Sequence, residues 1–396
     1  MSINIEDFSL LDEMGPEKIV ILRDPSVGMN AIFAIDNTAI GWPAGGIRMA
    51  PDVSIDEIVR LGRAMTYKFA SYRLKVGGSK VGIMADPRSE DRDLVISSFA
   101  NAIKPFILED RYYPGPDMGT YDSDIERIFN IIGKPGLTPK PIGLMKNGYP
   151  VEELYTGYGV VYCLEAVLSH LKTKQNLNND YKPKVILEGF GKVGTSVAIS
   201  LNELGYTLNG ISTIKGAIFD EKGLNIPEIL KLQRTYGDDL IDQYHSENLV
   251  RIESEKLFNL SSEYPIDFII PGARQDVINK YNIDKLNAKA IIPAANIPYE
   301  KDITEILEEK NIIAFPDFVA NAGEVLAIGI NKIAQDADEI FSYVKSEIDT
   351  KTMEIIKGAQ ATNMSIYNYA VNDAFKFINK YLIRRTKRIK KMNEKY

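Results

Sequence analysis

Lys184-Val-Ile-Leu-Glu-Gly-Phe-Gly-Lys-Val-Gly194 (KVILEGFGKVG) decides the fold class. Lys184 to Leu187 is a short apolar run of strand length, and it leads straight into Gly189-Phe190-Gly191-Lys192-Val193-Gly194. A helical stretch then extends to about Leu204, and Thr207 to Ser212 reads as a second strand. A GxGxxG that follows a strand and opens a helix, inside a βαβ unit of roughly 30 residues, is the context of a dinucleotide site. Gly189 allows the tight turn, Gly191 admits a pyrophosphate, and Gly194 lets helix and strand pack. The N–H groups at the start of the helix supply donors to the phosphates. An acidic residue for the adenine ribose is expected at the end of the second strand. The residues there are Gly210-Ile211-Ser212-Thr213-Ile214-Lys215, which include no carboxylate. Hydroxyls at Ser212 and Thr213 beside a lysine suit a 2′-phosphate better, so the reading covers NAD or NADP and leans to NADP.

Outward from this unit, strands are expected at 266–271, 290–293 and 312–315, with helical stretches at 274–281 and 301–309 between them. Alternating strand and helix predict a doubly wound, mainly parallel sheet. Long closing helices are expected over 323–347 and 350–390, and a helix over 151–171 opens the second half. Residues 133–150, rich in glycine and proline, read as a crossing segment between two domains.

The first half has another character. Residues 17–50 alternate as strands do, with Asp36-Asn37 as a turn and Trp42 to Arg48 as a glycine-rich loop. Ser54 and Glu57 form a capping box for a helix to about Arg73. Next comes Met65–Ile83, MTYKFASYRLKVGGSKVGI, with Lys68 and Lys80 separated by Gly77-Gly78. Glycine tolerates close backbone approach and positive φ, and a lysine among glycines and apolar neighbours is desolvated, which lowers its pKa. For a lone GGxK, a solvated lysine at a turn is the favoured reading. A helix is expected over 90–108, and Arg111 to Thr120 (RYYPGPDMGT) is a rigid loop around one carboxylate, Asp117.

With 396 residues the chain suits two domains. A formal net charge of −7 gives no overall footprint for nucleic acid, and the basic run from Arg384 to Lys391 reads as a solvated terminus. One cysteine, Cys163, excludes an intrachain disulfide, and the two histidines, His170 and His245, lie far apart in sequence, so no metal site is expected. Without a signal-like start or a membrane-length apolar run, the expected location is the cytoplasm and no membrane partner is expected.

Taken together and in order, GGIRM (45–49), MTYK (65–68), GGSK (77–80), PGPDMGT (114–120), TGYGV (156–160), GFGKVG (189–194) and PDFVANAG (316–323) resemble the Glu/Leu/Phe/Val amino-acid dehydrogenases. The likeness spans roughly residues 30–345. The resemblance implies reversible oxidative deamination of an L-amino acid to a 2-oxo acid and ammonia, and a homo-oligomer. It implies an N-terminal α/β catalytic and assembly domain (1–150), a Rossmann domain (151–345), and C-terminal helices (346–396) packing back toward the first domain. By position, Lys68 binds the substrate α-carboxylate near Gly45 and Gly46. Lys80 is the catalytic lysine and Asp117 the proton shuttle. Thr156 and Asn296 touch the nicotinamide ribose end, Ala273 belongs with the cofactor set, and Asn321 lies near the substrate.

Two departures bear on specificity. In glutamate dehydrogenases of this family a lysine precedes GGxR, and a serine lies seven residues after the asparagine of NAG. Here those positions are Ala44 and Ile328. A distal carboxylate would be buried without partners, which is costly, so an apolar or aromatic side chain is expected. Glu324 replaces a usual glycine, and is either a surface carboxylate or a group that selects a distal amine. Rival readings are a glutamate dehydrogenase with an atypical pocket, a non-catalytic relative, and a hydroxy-acid dehydrogenase, which would want a catalytic histidine.

Overall fold

A computed structural model describes residues 11–138, 142–331 and 334–393. By contacts the chain forms two units. One holds the described residues up to 138 together with those from 372 on, and the other holds residues 142–371.

The first unit is built on β1 (Lys18–Asp24), β2 (Met29–Asn37), β3 (Trp42–Met49), α1 (Ile55–Ser71), β4 (Val76–Ile83), α2 (Arg92–Leu108), β5 (Tyr113–Pro116) and α3 (Asp122–Ile131). Its sheet runs β1-β2-β4-β3-β5. The β1–β2 and β2–β4 pairs are antiparallel, while β4–β3 and β3–β5 are parallel. Because strand side chains alternate between faces, Ile47, Met49, Val81 and Ile83 turn one way, into a core with Ile96, Phe99, Ile103, Ile128 and Phe129 of α2 and α3. The other face takes α1. A Cβ on Gly78 would lie 2.3 Å from the Thr66 nitrogen, so helix and strand touch backbone to backbone. Ser54 caps α1 by accepting from the Glu57 N–H at 3.1 Å.

Several expectations change here. Trp42 to Arg48 is an interior strand, not a loop, and Gly45 and Gly46 leave no room for a side chain. Asp36 and Asn37 lie inside β2 rather than in a turn, and Asp36 is fully buried against Arg63 (2.8 Å) and Thr66 (2.5 Å). Lys80 sits mid-strand, so the solvated-turn alternative does not hold. The need for Gly77 and Gly78 is close packing. Neither has positive φ.

The second unit follows in order with β6 (Met145–Lys146), β7 (Tyr149–Pro150), α4 (Tyr155–Gln175), β8 (Lys184–Leu187), α5 (Lys192–Glu203), β9 (Thr207–Thr213), β10 (Gly216–Phe219), α6 (Ile226–Tyr236), α7 (Leu240–Gln243), β11 (Val250–Ile252), β12 (Phe268–Ile270), β13 (Ala290–Ile291), α8 (Ile303–Glu309), β14 (Ile313–Ala314), α9 (Asp317–Ala320), α10 (Gly323–Ile330), α11 (Ala337–Thr362) and α12 (Ile366–Asn393). Its sheet order is β11-β10-β9-β8-β12-β13-β14, parallel except where β10 meets β9 and β11. β8 lies between β9 and β12, which makes its C-terminal end the switch point where such sheets bind ligands.

Residues 274–281 are not helical. Asn279 takes the N–H of Tyr281 and donates to the Asp276 carbonyl, and these local turns win over the apolar spacing. The expected helix over 323–347 is two helices, since α10 ends at Ile330 and Asp336 caps a new start by accepting from the Glu339 N–H at 2.9 Å. The boundary between the units falls inside α12, so α11 belongs with the second unit by contacts. The end of α12 is tied to the first unit by Arg73–Asp373 (2.7 Å) and Arg385–Glu17 (2.6 Å). Among the described residues no helix is long and apolar enough to cross a membrane.

Candidate active site

In the first unit, the strand pairings Ile47 with Val81 and Gly46 with Gly115 put Gly46, Arg48, Lys80 and Gly115 on the sheet face that carries α1. Asp117 follows β5 directly. The Lys80 Nζ lies 3.1 Å from the Asp117 Oδ2, and the Arg48 Nε donates to the same oxygen at 2.8 Å. Arg48 in turn donates from Nη1 to the Glu57 Oε1 at 2.5 Å, which anchors it to the first turn of α1. Thr120 holds the loop. Its hydroxyl accepts the Asp117 N–H at 3.0 Å and donates to the Ile47 carbonyl at 2.6 Å.

Burial of the Asp117 carboxyl pushes its pKa up, but Lys80 and Arg48 more than reverse this and hold it well below the usual carboxylate range. Lys80 is 2 % exposed and pairs with the Asp117 carboxylate inside the unit. A Cβ on Gly46 would sit 2.9 Å from the Asp117 Cβ and 3.3 Å from the Lys80 Nζ. That glycine therefore keeps the space above the pair open. Tyr112, fully buried, donates to the Gly45 carbonyl at 2.9 Å and fixes the same strand from the far side. Lys68 is buried in the last turn of α1, and Ala44 is two residues before Gly46 on the same face.

In the second unit, Gly189 has φ +81, and its N–H donates to the Ser212 Oγ at 3.2 Å. This ties the glycine loop to the end of β9. A Cβ on Gly194 would lie 2.1 Å from the Gly189 carbonyl oxygen, so helix and turn pack directly there. At Gly191, the cap of α5, nothing lies within 4 Å of a Cβ. Two glycines are tight and the middle one is open, which fits a cradle for a pyrophosphate on the helix N-terminus, with Lys192 and Val193 in the first turn. Phe190 is buried beneath the loop. Gly189 also abuts Gly272 and Ala273 of the loop after β12. Asn321 donates from Nδ2 to the carbonyls of Ala294 and Ala295 (3.2 Å each) and to the Asn296 Oδ1 (2.9 Å), while its own Oδ1 is buried without a hydrogen-bond partner. Thr156 is in the first turn of α4, where Gly323 packs against the backbone of Tyr155 and Thr156. Ile328 is 60 % exposed on α10, and Glu324 is exposed in its first turn.

Four residues lay outside the sequence reading. Arg48 stands in the quoted GGIRM, yet its role depends on strand pairing. Asp238 and Asp239 reach the end of β9 from a turn after α6. Thr213 donates to the Asp238 carbonyl at 3.0 Å, and Asp239 pairs with Lys215 at 3.5 Å. The lysine counted toward a 2′-phosphate thus has a carboxylate beside it. Glu188, between β8 and Gly189, accepts from the Ala273 N–H. Among the described residues, no group of three or more His, Cys, Asp or Glu could hold a metal ion.

A family model described as Glutamate/Leucine/Phenylalanine/Valine dehydrogenase matches residues 148–395, and one described as Glu/Leu/Phe/Val dehydrogenase, dimerisation domain, matches residues 16–133. The NADP-specific glutamate dehydrogenase of Saccharolobus shibatae is 31% identical over 300 residues, covering 73% of this chain and 67% of that protein. The phenylalanine dehydrogenase of Lysinibacillus sphaericus is 28% identical over 363 residues, covering 90% and 84%. Among solved structures, the hetero-hexameric glutamate dehydrogenase from Thermus thermophilus (Leu bound form) superposes with a TM-score of 0.78 at 21% identity, covering 93% of this chain and 90% of that one. The L-tryptophan dehydrogenase from Nostoc punctiforme gives 0.62 at 23% identity, covering 96% and 99%. These two likenesses concern the fold.

Proposed function

Since the chain belongs to the Glu/Leu/Phe/Val dehydrogenase family, we propose that it carries out the reversible, NAD(P)-dependent oxidative deamination of an L-amino acid with an apolar side chain. The observation that carries this reading is the pair of buried Lys80 and half-buried Asp117, held by Arg48 on one face of the first sheet.

A bound nicotinamide would supply the hydride acceptor for the substrate Cα. The chain's own residues handle charge and protons. Lys68 pairs with the substrate α-carboxylate. Asp117, kept ionised by its two cationic neighbours, takes a proton from the substrate ammonium, so that the amine lone pair can drive hydride loss. With its proton passed to solvent, Lys80 as the neutral amine takes a proton from the water that adds to the imine carbon. Asp117 returns its proton to the nitrogen, which leaves as ammonia, and the freed carboxylate takes the hydroxyl proton as the carbonyl of the 2-oxo acid forms. Gly191 and the start of α5 would hold the pyrophosphate, and Thr156 and Asn296 would serve the nicotinamide ribose end. The bare Oδ1 of Asn321 is an acceptor suited to an N–H donor on substrate or nicotinamide. The cofactor is NAD or NADP. By analogy with the hexameric relative, the working form is an oligomer.

Ala44 and Ile328 favour an apolar side chain, because neither offers a donor to a distal carboxylate. A panel of 2-oxo acids with ammonia and NADH or NADPH tests this. Oxidation of the cofactor with 4-methyl-2-oxopentanoate or an aromatic 2-oxo acid is expected. Turnover of 2-oxoglutarate alone would remove the side-chain argument.

A further inference from the structure

Glu188 follows the last residue of β8 and immediately precedes the glycine turn. Its backbone N–H extends the β8–β12 ladder by donating to the Ile270 carbonyl at 2.9 Å. Its side chain folds toward the next loop, where the Oε2 accepts the Ala273 N–H at 3.3 Å. The two loops are pressed together at this point. A Cβ on Gly272 would lie 2.4 Å from the Glu188 carbonyl oxygen, and one on Gly189 would lie 3.0 Å from the Gly272 carbonyl oxygen. A carboxyl group therefore sits at the switch point of the sheet, beside the loop that cradles a pyrophosphate.

We propose that Glu188 is a positioning residue of the cofactor site that ties the loops after β8 and β12 together and makes dinucleotide binding take up a proton. The proposal rests on the dinucleotide reading of GFGKVG.

The charges explain the coupling. Partial burial pushes the Glu188 carboxyl up to about 7, only partly offset by the N–H groups of Ala273 and Gly272 that favour its ionised form. The charged side chains on the adjoining elements are Lys192 at the start of α5, Arg274 and Asp276 in the loop after Ala273, and the paired Lys215 and Asp239 beyond the end of β9, where Ser212 is neutral. A pyrophosphate adds negative charge to the same corner and favours neutral Glu188. Below the carboxyl's pKa the group is already protonated and binding meets no opposition. Above it, binding must draw a proton from solvent, so affinity falls as pH rises. The protonated carboxyl still accepts an N–H through its carbonyl oxygen, so the loop contact survives in both states.

The test is titration of the full-length protein with NADH and with NADPH, followed by nicotinamide fluorescence from pH 6 to 8.5. The wild-type Kd for the tighter-binding cofactor is expected to rise roughly tenfold across this range, as a like-charge interaction in a partly buried site would give. Glu188→Gln, which keeps the accepting oxygen and loses the charge, should flatten the profile at the low-pH affinity with the melting temperature unchanged. Calorimetry of the wild type at pH 7.5 in two buffers of different ionisation enthalpy should register proton uptake, which needs no variant. A flat wild-type profile, a Gln variant with the wild-type slope, or zero proton uptake would each overturn the proposal. Absence of NADH and NADPH binding at every pH would instead remove the dinucleotide reading, and this proposal with it.

Discussion

The two sheets of this chain prepare their sites in opposite ways. Within β4, near the end of β3 and just after β5 the work falls to charged side chains, with Lys80 and Arg48 converging on one oxygen of Asp117 and Glu57 anchoring Arg48 from α1. At the C-terminal end of β8 it falls to backbone and empty space, with Gly189 turned to φ +81 and Gly191 open. Chemistry on a carbon–nitrogen bond needs groups that hold and move protons, and these must be buried and paired to keep their charge states. Holding a dinucleotide needs N–H donors and close approach, which glycine and a helix N-terminus supply. The sites should therefore fail differently. One loses rate when a charge is removed, and the other loses affinity when an atom is added.

The largest effect is expected from Asp117→Asn, which keeps the shape and removes the charge shared by Lys80 and Arg48. Turnover should fall by roughly 10²–10⁴-fold, the usual contribution of a positioned proton-transfer group, while the cofactor Kd measured by fluorescence stays within about twofold, less than ~0.5 kcal/mol. A loss of affinity equal to the loss of rate would blur the contrast between the sheets. Gly191→Ser comes next. It retains a good capping residue and meets open space, so the melting temperature should hold while cofactor Kd rises at least about tenfold, about 1.4 kcal/mol. Gly194→Ala separates packing from binding within the same motif. Its Cβ would lie 2.1 Å from the Gly189 carbonyl, and denaturant unfolding should record a loss of about 1–3 kcal/mol.

What was legible in the sequence follows the same division. GFGKVG was readable because each glycine answers a local demand, and the strand before it and helix after it are contiguous. In sequence the interior strand Trp42–Met49 reads as a loop, because glycine and proline normally mark turns. Here Gly45 and Gly46 serve neighbours that arrive from β4 and β5, far along the chain. For the same reason Arg48 went without a role. Its partners, Glu57 and Asp117, are joined to it by strand order rather than by spacing. Asp239, too, reaches Lys215 across a helix and a turn that no local pattern anticipates. Local turn chemistry at Asn279 overrode apolar spacing in 274–281, and the Asp336 cap divided a helical stretch that reads as continuous.

The most direct test of the division is Lys80→Ala assayed twice on one preparation, by cofactor binding and by reductive amination of the best 2-oxo acid of the panel. The expected result is NADH or NADPH affinity equal to wild type, with turnover reduced by roughly 10²-fold or more. Retained turnover, or parallel loss of binding and rate, would contradict the assignment of chemistry to the first sheet and cofactor to the second.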